Sequence, residues 1–175
     1  DEIERVVEEV RELLERDKRR SDEVIERLKR LLEKDEEDVD DVIRRSKETN
    51  ERIRDKIEKE GPTEEVEKLL RDDKRRVDKL LEDSKRTNDD IVRRLDEAHE
   101  ESEKTNRDID EEIERKAKVK EVVDDLKRLS KKVYDDNKEL IDRVRERSRE
   151  VLRRLKELAD ELRKLSEKIK RDADK

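Results

Sequence analysis

Apolar residues recur through the first part of the chain in alternating steps of three and four, the spacing of one face of an α-helix. This apolar seam contains Ile3, Val7, Val10, Leu14, Val24, Leu28, Leu31, Val39, Val42, Ile53 and Ile57. Asp17, Ser21 and Asp35 fall in the same phase although they are polar. Ser21 opens a Ser-Asp-Glu run that resembles a helix start, but the phase continues through it. The pattern predicts one helix over about residues 1–60.

Gly61-Pro62-Thr63 is the strongest interruption of the helical pattern. Glycine suits the left-handed residue after a helix, proline cannot continue that helix, and Thr63 can cap the next one. A second apolar seam then runs from Val66 to Ile113. We therefore expect a tight reversal and a second helix over residues 63–116 that is antiparallel to the first.

The second reversal is less clear, because residues 116–120 contain neither glycine nor proline and the apolar phase runs through them. One continuous helix from residue 63 onward is the alternative. A turn near residue 118 is favoured by segment length, since 63–116 and 120–174 nearly match the first helix. The expected fold is all-α, an elongated, coiled-coil-like, up-down-up three-helix bundle that forms a single domain over residues 1–175.

A Ser-x-x-Thr-Asn phrase occurs three times, starting at Ser46, Ser84 and Ser102, and an isoleucine follows each serine by seven residues. At this spacing the polar residues and the isoleucine lie on one stripe of a helix. Small polar side chains therefore occupy positions where leucine is usual. This arrangement indicates how the helices pack and does not indicate a reaction.

A hairpin about Gly61-Pro62 makes the numbers of level residues on the first two helices add to about 123. It pairs Asp17 with Asn106, Ser21 with Ser102, Asp35 with Asn88, and Asn50 with Asp73. A turn near residue 118 gives a total of about 236 for the second and third helices. It aligns Asn106 with Ser130, Ser102 with Tyr134, His99 with Asn137, and Asn88 with Ser148.

These alignments predict three buried polar layers. The layers are Asp17, Ser21, Ser102, Thr105, Asn106, Ser130 and Tyr134; then Asp35, Ser84, Thr87, Asn88 and Ser148; then Ser46, Thr49, Asn50 and Asp73, with no evident partner on the third helix. Each layer combines acceptor-rich aspartate with hydroxyl and amide donors. A buried polar group without a partner costs about 1–3 kcal/mol, so the layers should penalise a slip in helix register. We interpret them as selecting register and partner, as a buried asparagine does in coiled coils.

Composition alone would suggest disorder, because 62% of residues are charged and 27% are hydrophobic. The regular spacing of the apolar residues outweighs this. The first two of the three predicted helical segments are acidic and the third is basic, and the whole chain has a net charge of −7. The basic residues are interleaved with Asp and Glu and Tyr134 is the only aromatic, so we expect the third segment to complement the other two and not to bind nucleic acid.

Catalytic and metal-binding interpretations find little support. Cysteine is absent, His99 is the only histidine, and no glycine-rich turn suggests an oxyanion hole. Asp96 and His99 resemble the Glu-x-x-His of di-iron bundles, but a second copy is missing. We expect no enzyme activity, no metal and no cofactor, and a structural or surface role for His99.

Membrane association is not expected either. No stretch approaches the roughly 20 apolar residues of a membrane helix, and Asp1-Glu2 do not begin a basic and then apolar targeting signal. The chain is expected to be soluble, and its cellular location is not indicated.

Idealised heptads, a surface of Asp, Glu, Lys and Arg, one Gly-Pro connection and repeated Ser-x-x-Thr-Asn phrases together resemble computationally designed helical bundles with buried hydrogen-bond networks. The absence of Cys, Met, Trp and Phe fits this resemblance, whereas the connection near residue 118 lacks the expected Gly or Pro. The resemblance implies a protein made to adopt a specified bundle, as a scaffold, a hetero-oligomer component or a switch. Our leading interpretation is a structural scaffold that requires no partner. The alternative is a helix-binding or oligomerising module that accepts a partner helix or a second copy, since doubled apolar positions such as Leu13 and Leu14 widen the seams.

Overall fold

The computed structural model describes residues 1–173. They form three α-helices, α1 over Glu2–Glu60, α2 over Glu64–Lys116 and α3 over Lys120–Ala173. The predicted three-helix bundle is confirmed, and the alternative of one continuous helix beyond residue 63 is wrong. The predicted end of the third helix at residue 174 lies outside the described residues.

The first reversal follows from its sequence. Gly61 has φ of 76°, in the left-handed region, and its N–H donates to the Ile57 carbonyl at 2.8 Å. Thr63 caps α2, because its Oγ1 accepts a hydrogen bond from the Val66 N–H at 3.3 Å. The negative charges of the glutamates in the first turn of α2 interact favourably with the positive end of the helix dipole.

The second reversal forms without glycine or proline. The Ala117 N–H donates to the Ile113 carbonyl at 2.9 Å and so extends the last turn of α2. The Ala117 side chain is buried in an apolar cluster with Val6 and Leu126. The turn is therefore stabilised by burial of Ala117 against the other helices and not by a residue with special backbone freedom.

Two compact units divide the chain. The first unit contains Asp1–Arg30 and Asp90–Glu146, and the second contains Leu31–Asp89 and the chain from Arg147 onward. Each unit therefore contains a part of all three helices, and each has its own core.

In the first unit, hydrogen bonds and ion pairs define an antiparallel arrangement of neighbouring helices. They join Glu9 of α1 to Lys116 of α2, Arg20 of α1 to Glu101 of α2, and Asn106 of α2 to Ser130 of α3. The apolar core of this unit contains Val6, Val10, Leu14, Ile109, Ile113, Ala117 and Leu126.

In the second unit, α1 and α2 are again antiparallel, as the contacts Asp35 to Ser84 and Lys56 to Glu65 require. The α1 and α3 segments run in the same direction, because Glu36 contacts Arg147 and Asp40 contacts Arg154. The apolar core contains Ile53, Val66, Leu70, Val77, Leu158, Leu162 and Ile169. Full burial of each such side chain contributes about 1.5–3 kcal/mol, so the cores dominate the stability of both units.

Candidate functional site

The candidate site is the set of polar residues that the sequence places among core positions. Ten of the sixteen are buried: Asp17, Ser21, Asp35, Ser46, Thr49, Asp73, Ser84, Ser102, Ser130 and Ser148. The other six are half-buried: Asn50, Thr87, Asn88, Thr105, Asn106 and Tyr134. The structure joins some of them by hydrogen bonds between helices and leaves others without such bonds.

Two carboxylate–serine pairs connect α1 to α2 in the second unit. Ser84 Oγ donates to Asp35 Oδ2 at 2.7 Å, and Ser46 Oγ donates to Asp73 Oδ2 at 2.8 Å. The carboxylate lies on α1 in the first pair and on α2 in the second, so the chain uses both orientations. Both serines are fully buried.

The alignment by residue number assigned different partners to both aspartates. It placed Asp35 level with Asn88, and Asp73 level with Asn50, but each aspartate accepts a hydrogen bond from the serine four residues earlier in the same phrase. Successive positions four residues apart differ by about 40° around a helix. Ser84 therefore faces α1, whereas Asn88 is turned towards α3.

Two serine–asparagine pairs connect α2 to α3. Ser130 Oγ donates to Asn106 Oδ1 at 2.8 Å in the first unit, and Ser148 Oγ donates to Asn88 Oδ1 in the second. These are two of the pairs that a turn near residue 118 makes level. In the phrase that begins at Ser84, the serine thus binds α1 and the asparagine binds α3.

The phrase on α1 has only one of these connections. Ser46 binds Asp73, but the buried Oδ1 of Asn50 has no hydrogen-bond partner among the described residues. This is the layer for which the sequence offers no partner on the third helix.

Asp17 in the first unit is bound by an arginine. Arg20 Nη2 donates to Asp17 Oδ1 at 3.0 Å and to Thr105 Oγ1 at 2.9 Å, and Arg20 Nη1 lies 2.8 Å from Glu101 Oε1. The numbers of Asp17 and Ser102 add to 119, as those of Asp35 and Ser84 do, so the two pairs are equally level. Ser102 Oγ nevertheless has no partner in the described part of the chain. Arg20 therefore replaces the serine as the donor to this carboxylate.

Tyr134 and Thr87 make hydrogen bonds that the alignment by residue number did not predict. Tyr134 donates to Glu103 Oε1 at 3.2 Å, and His99 Nε2 lies 3.0 Å from the same oxygen. The rings of His99 and Tyr134 are 6.1 Å apart between centroids. Thr87 Oγ1 donates to the Asp83 carbonyl of its own helix at 3.1 Å and so does not connect two helices.

Burial raises the pKa of the buried aspartates above its ordinary value. For Asp35 and Asp73 the serine hydrogen bonds oppose this effect, and for Asp17 the charge of Arg20 opposes it. Burial and the charge of Glu103 raise the pKa of Tyr134. The carboxylates thus prefer protonation more than exposed aspartates do.

Sequence reasoning left Asp110, Asn137 and Glu103 out of the polar layers. Asp110 is half-buried, burial raises its pKa, and its Oδ1 has no partner among the described side chains. It follows Asn106 by four residues, and this spacing could have identified it. Asn137 is fully buried, although the sequence alignment only made it level with His99.

Within residues 1–172, whose side chains the structure describes, no cluster of acidic residues and His99 is arranged to hold a metal ion. Over residues 1–173, none of the three helices contains a segment that is long and apolar enough to cross a membrane.

No protein-family model and no curated protein matches the chain. A solved structure described as a computationally designed three helix bundle is similar to it, with 18% sequence identity and a TM-score of 0.41. The match covers 95% of this chain and 85% of that chain.

Proposed function

We propose that this protein is a designed, non-catalytic structural scaffold whose interhelical polar pairs specify how its helices align. The designed origin is supported by the sequence itself, in which idealised heptads and repeated Ser-x-x-Thr-Asn phrases accompany a surface of Asp, Glu, Lys and Arg. The specifying role rests on one observation. Hydrogen bonds join Ser84 to Asp35 and Ser148 to Asn88, so one phrase on α2 connects to both other helices.

The energetic argument depends on what a slip would do. An apolar seam accepts a shift of one heptad, about 10 Å at 1.5 Å per residue, because one leucine replaces another. A buried carboxylate or hydroxyl moved against an apolar side chain instead loses its hydrogen bond and costs about 1–3 kcal/mol. The second unit contains three such pairs, so a slipped arrangement there is penalised several times over.

Chemical cross-linking tests this proposal in the second unit. The chain has no cysteine, so introduced cysteines provide a clean readout. Glu36→Cys with Arg147→Cys marks the observed alignment of α1 and α3, and Glu36→Cys with Arg154→Cys marks an alignment shifted by one heptad. A short bis-maleimide should join only the first pair in the otherwise unchanged protein.

The informative variant replaces both partners of each pair in this unit by leucine, at positions 35, 46, 73, 84, 88 and 148. We expect an equal or higher unfolding temperature, because apolar burial replaces polar burial. We also expect cross-linking of the shifted pair, or a larger mass by light scattering. If the leucine variant cross-links only in the observed alignment and keeps the original mass, the apolar seam and the turns set the register and the proposal is wrong.

An oligomerising module is the second candidate function. It is supported by apolar side chains left more than one-third exposed in the first unit, where Ile3 and Val119 line a pocket of about 170 Å³ at the second reversal. Light scattering separates the two functions. A dimer that Val119→Lys converts to a monomer would favour the module, and a monomer at high concentration would exclude self-association.

A further inference from the structure

Three buried polar side chains of the first unit have atoms with no hydrogen-bond partner among the described residues. They are Ser21 of α1, Ser102 of α2 and Asn137 of α3, and both amide atoms of Asn137 are unpaired. Their exposed fractions are 8%, 3% and 0%. Each helix of the unit therefore contributes at least one buried, unpaired polar group.

The neighbouring contacts place these groups close to one level. Arg20 contacts both Glu101 and Thr105, which bracket Ser102, so the adjacent Ser21 lies at about the level of Ser102. Glu103, next to Ser102, accepts a hydrogen bond from Tyr134 of α3. Asn137 follows Tyr134 by three residues, a rise of about 4.5 Å.

These groups do not bond directly to one another or to other described residues. A direct hydrogen bond requires the two heavy atoms to lie within about 3.2 Å. A water molecule that bonds to both sides spans roughly 5.5 Å, or two hydrogen bonds. Serine is also smaller than the leucine usual at core positions, so buried serines at about the same level on α1 and α2 fill less of the core than leucines would.

From this geometry we propose that Ser21, Ser102 and Asn137 form a binding site for an internal water molecule. The hydroxyls can each donate and accept, Asn137 Nδ2 donates and Oδ1 accepts, and a buried water needs two to four such partners. The three groups are neutral, so they match water better than a metal ion or a charged ligand. The proposal does not depend on whether the polar pairs specify register.

Oxygen-17 magnetic relaxation dispersion of water, measured on the full chain, detects water held longer than the tumbling time of the protein. We expect the unchanged protein to hold such a molecule, and Asn137→Leu to lose about one long-lived water per chain. The matched control is Asn88→Leu, because the Oδ1 of Asn88 is already bonded to Ser148. This control should leave the number of long-lived water molecules unchanged.

A second measurement covers the case in which Asn137→Leu does not fold. In the unchanged protein, cross-relaxation between water and the Asn137 side-chain amide protons should have the sign of a long-lived contact. If the amide shows no such contact, the proposal is wrong. It is equally wrong if a helical, folded Asn137→Leu retains every long-lived water.

Discussion

Exchanging the two partners of a carboxylate–serine pair is the most discriminating test of the polar contacts. Asp35 on α1 accepts a hydrogen bond from Ser84 on α2 at 2.7 Å, whereas the pair formed by Ser46 and Asp73 has the reverse orientation. The protein therefore already contains both arrangements in the same pair of helices. Asp35→Ser combined with Ser84→Asp should rebuild the pair in the orientation of its neighbour.

The single substitutions should behave very differently. Ser84→Asp places a second carboxylate beside Asp35, whose exposed fraction is 9%, and removes a hydrogen bond to a charged group that contributes about 1.5–3 kcal/mol. Asp35→Ser leaves two facing hydroxyls and reduces that bond to an ordinary one of about 1 kcal/mol. We expect the double variant to lie within about 0.5 kcal/mol of the unchanged protein, which gives a coupling energy of about 2–3 kcal/mol.

Urea denaturation followed by circular dichroism at neutral pH would supply the free energies of unfolding of the unchanged protein, the two single variants and the double variant. The matched control combines Asp35→Ser with Ser166→Asp. The contact between Glu36 and Arg147 implies that Ser166 lies near residue 55 of α1, roughly 30 Å along the helix from Asp35. Those two changes should be additive. If the swapped double variant is also merely additive, the hydrogen bond between Asp35 and Ser84 does not stabilise the fold and the reasoning fails.

Two further predictions concern the pH dependence of stability and the first reversal. Burial raises the pKa of Asp73 above 3.8, so the folded state binds this proton more tightly and the contribution of Asp73 to stability falls as pH rises. The stability of Asp73→Asn relative to the unchanged protein should therefore increase between about pH 3 and pH 7 in urea unfolding. Asp90→Asn should show the opposite trend because Arg93 lowers the pKa of Asp90, and equal trends would contradict this assignment. Gly61→Ala should lower the free energy of unfolding by about 1–2 kcal/mol, because an L-residue is strained at φ of 76°. A clash does not contribute, since no atom lies within 4 Å of the added Cβ. An unchanged urea midpoint would exclude a left-handed Gly61 in solution.

Helix boundaries could be predicted from the sequence where local chemistry determines them. Gly61 and Thr63 determine the first reversal through backbone freedom and capping, and both act within a few residues. The second reversal depends on burial of Ala117 against residues distant in sequence. Segment length located this turn, but no local pattern of residues 116–120 explains it.

Polar core positions could be predicted by their phase, and alignment by number paired the serines of α3 with the asparagines of α2. It did not identify the partners of the aspartates between α1 and α2. Residue numbers give the height of a side chain along a bundle and do not give its direction around the helix axis. Ser84 and Asn88 are one turn apart, and the difference of about 40° directs one to α1 and the other to α3. For this reason the alignment between α1 and α2 made Asp35 level with Asn88, whereas Asp35 accepts its hydrogen bond from Ser84 of the same phrase.

Competition between donors is a second limit on what the sequence can predict. The numbers of Asp17 and Ser102 add to 119, as those of Asp35 and Ser84 do, but Arg20 Nη2 donates to Asp17 at 3.0 Å instead. Either donor would bind a charged carboxylate, but arginine adds the attraction of its own positive charge, so its hydrogen bond to Asp17 is the stronger one. Arg20 precedes Ser21 and belongs to the surface pattern, so heptad phase does not identify it as a partner. The long arginine side chain reaches from the surface to the buried Asp17. Ser102, the serine level with Asp17, is left available for a different partner.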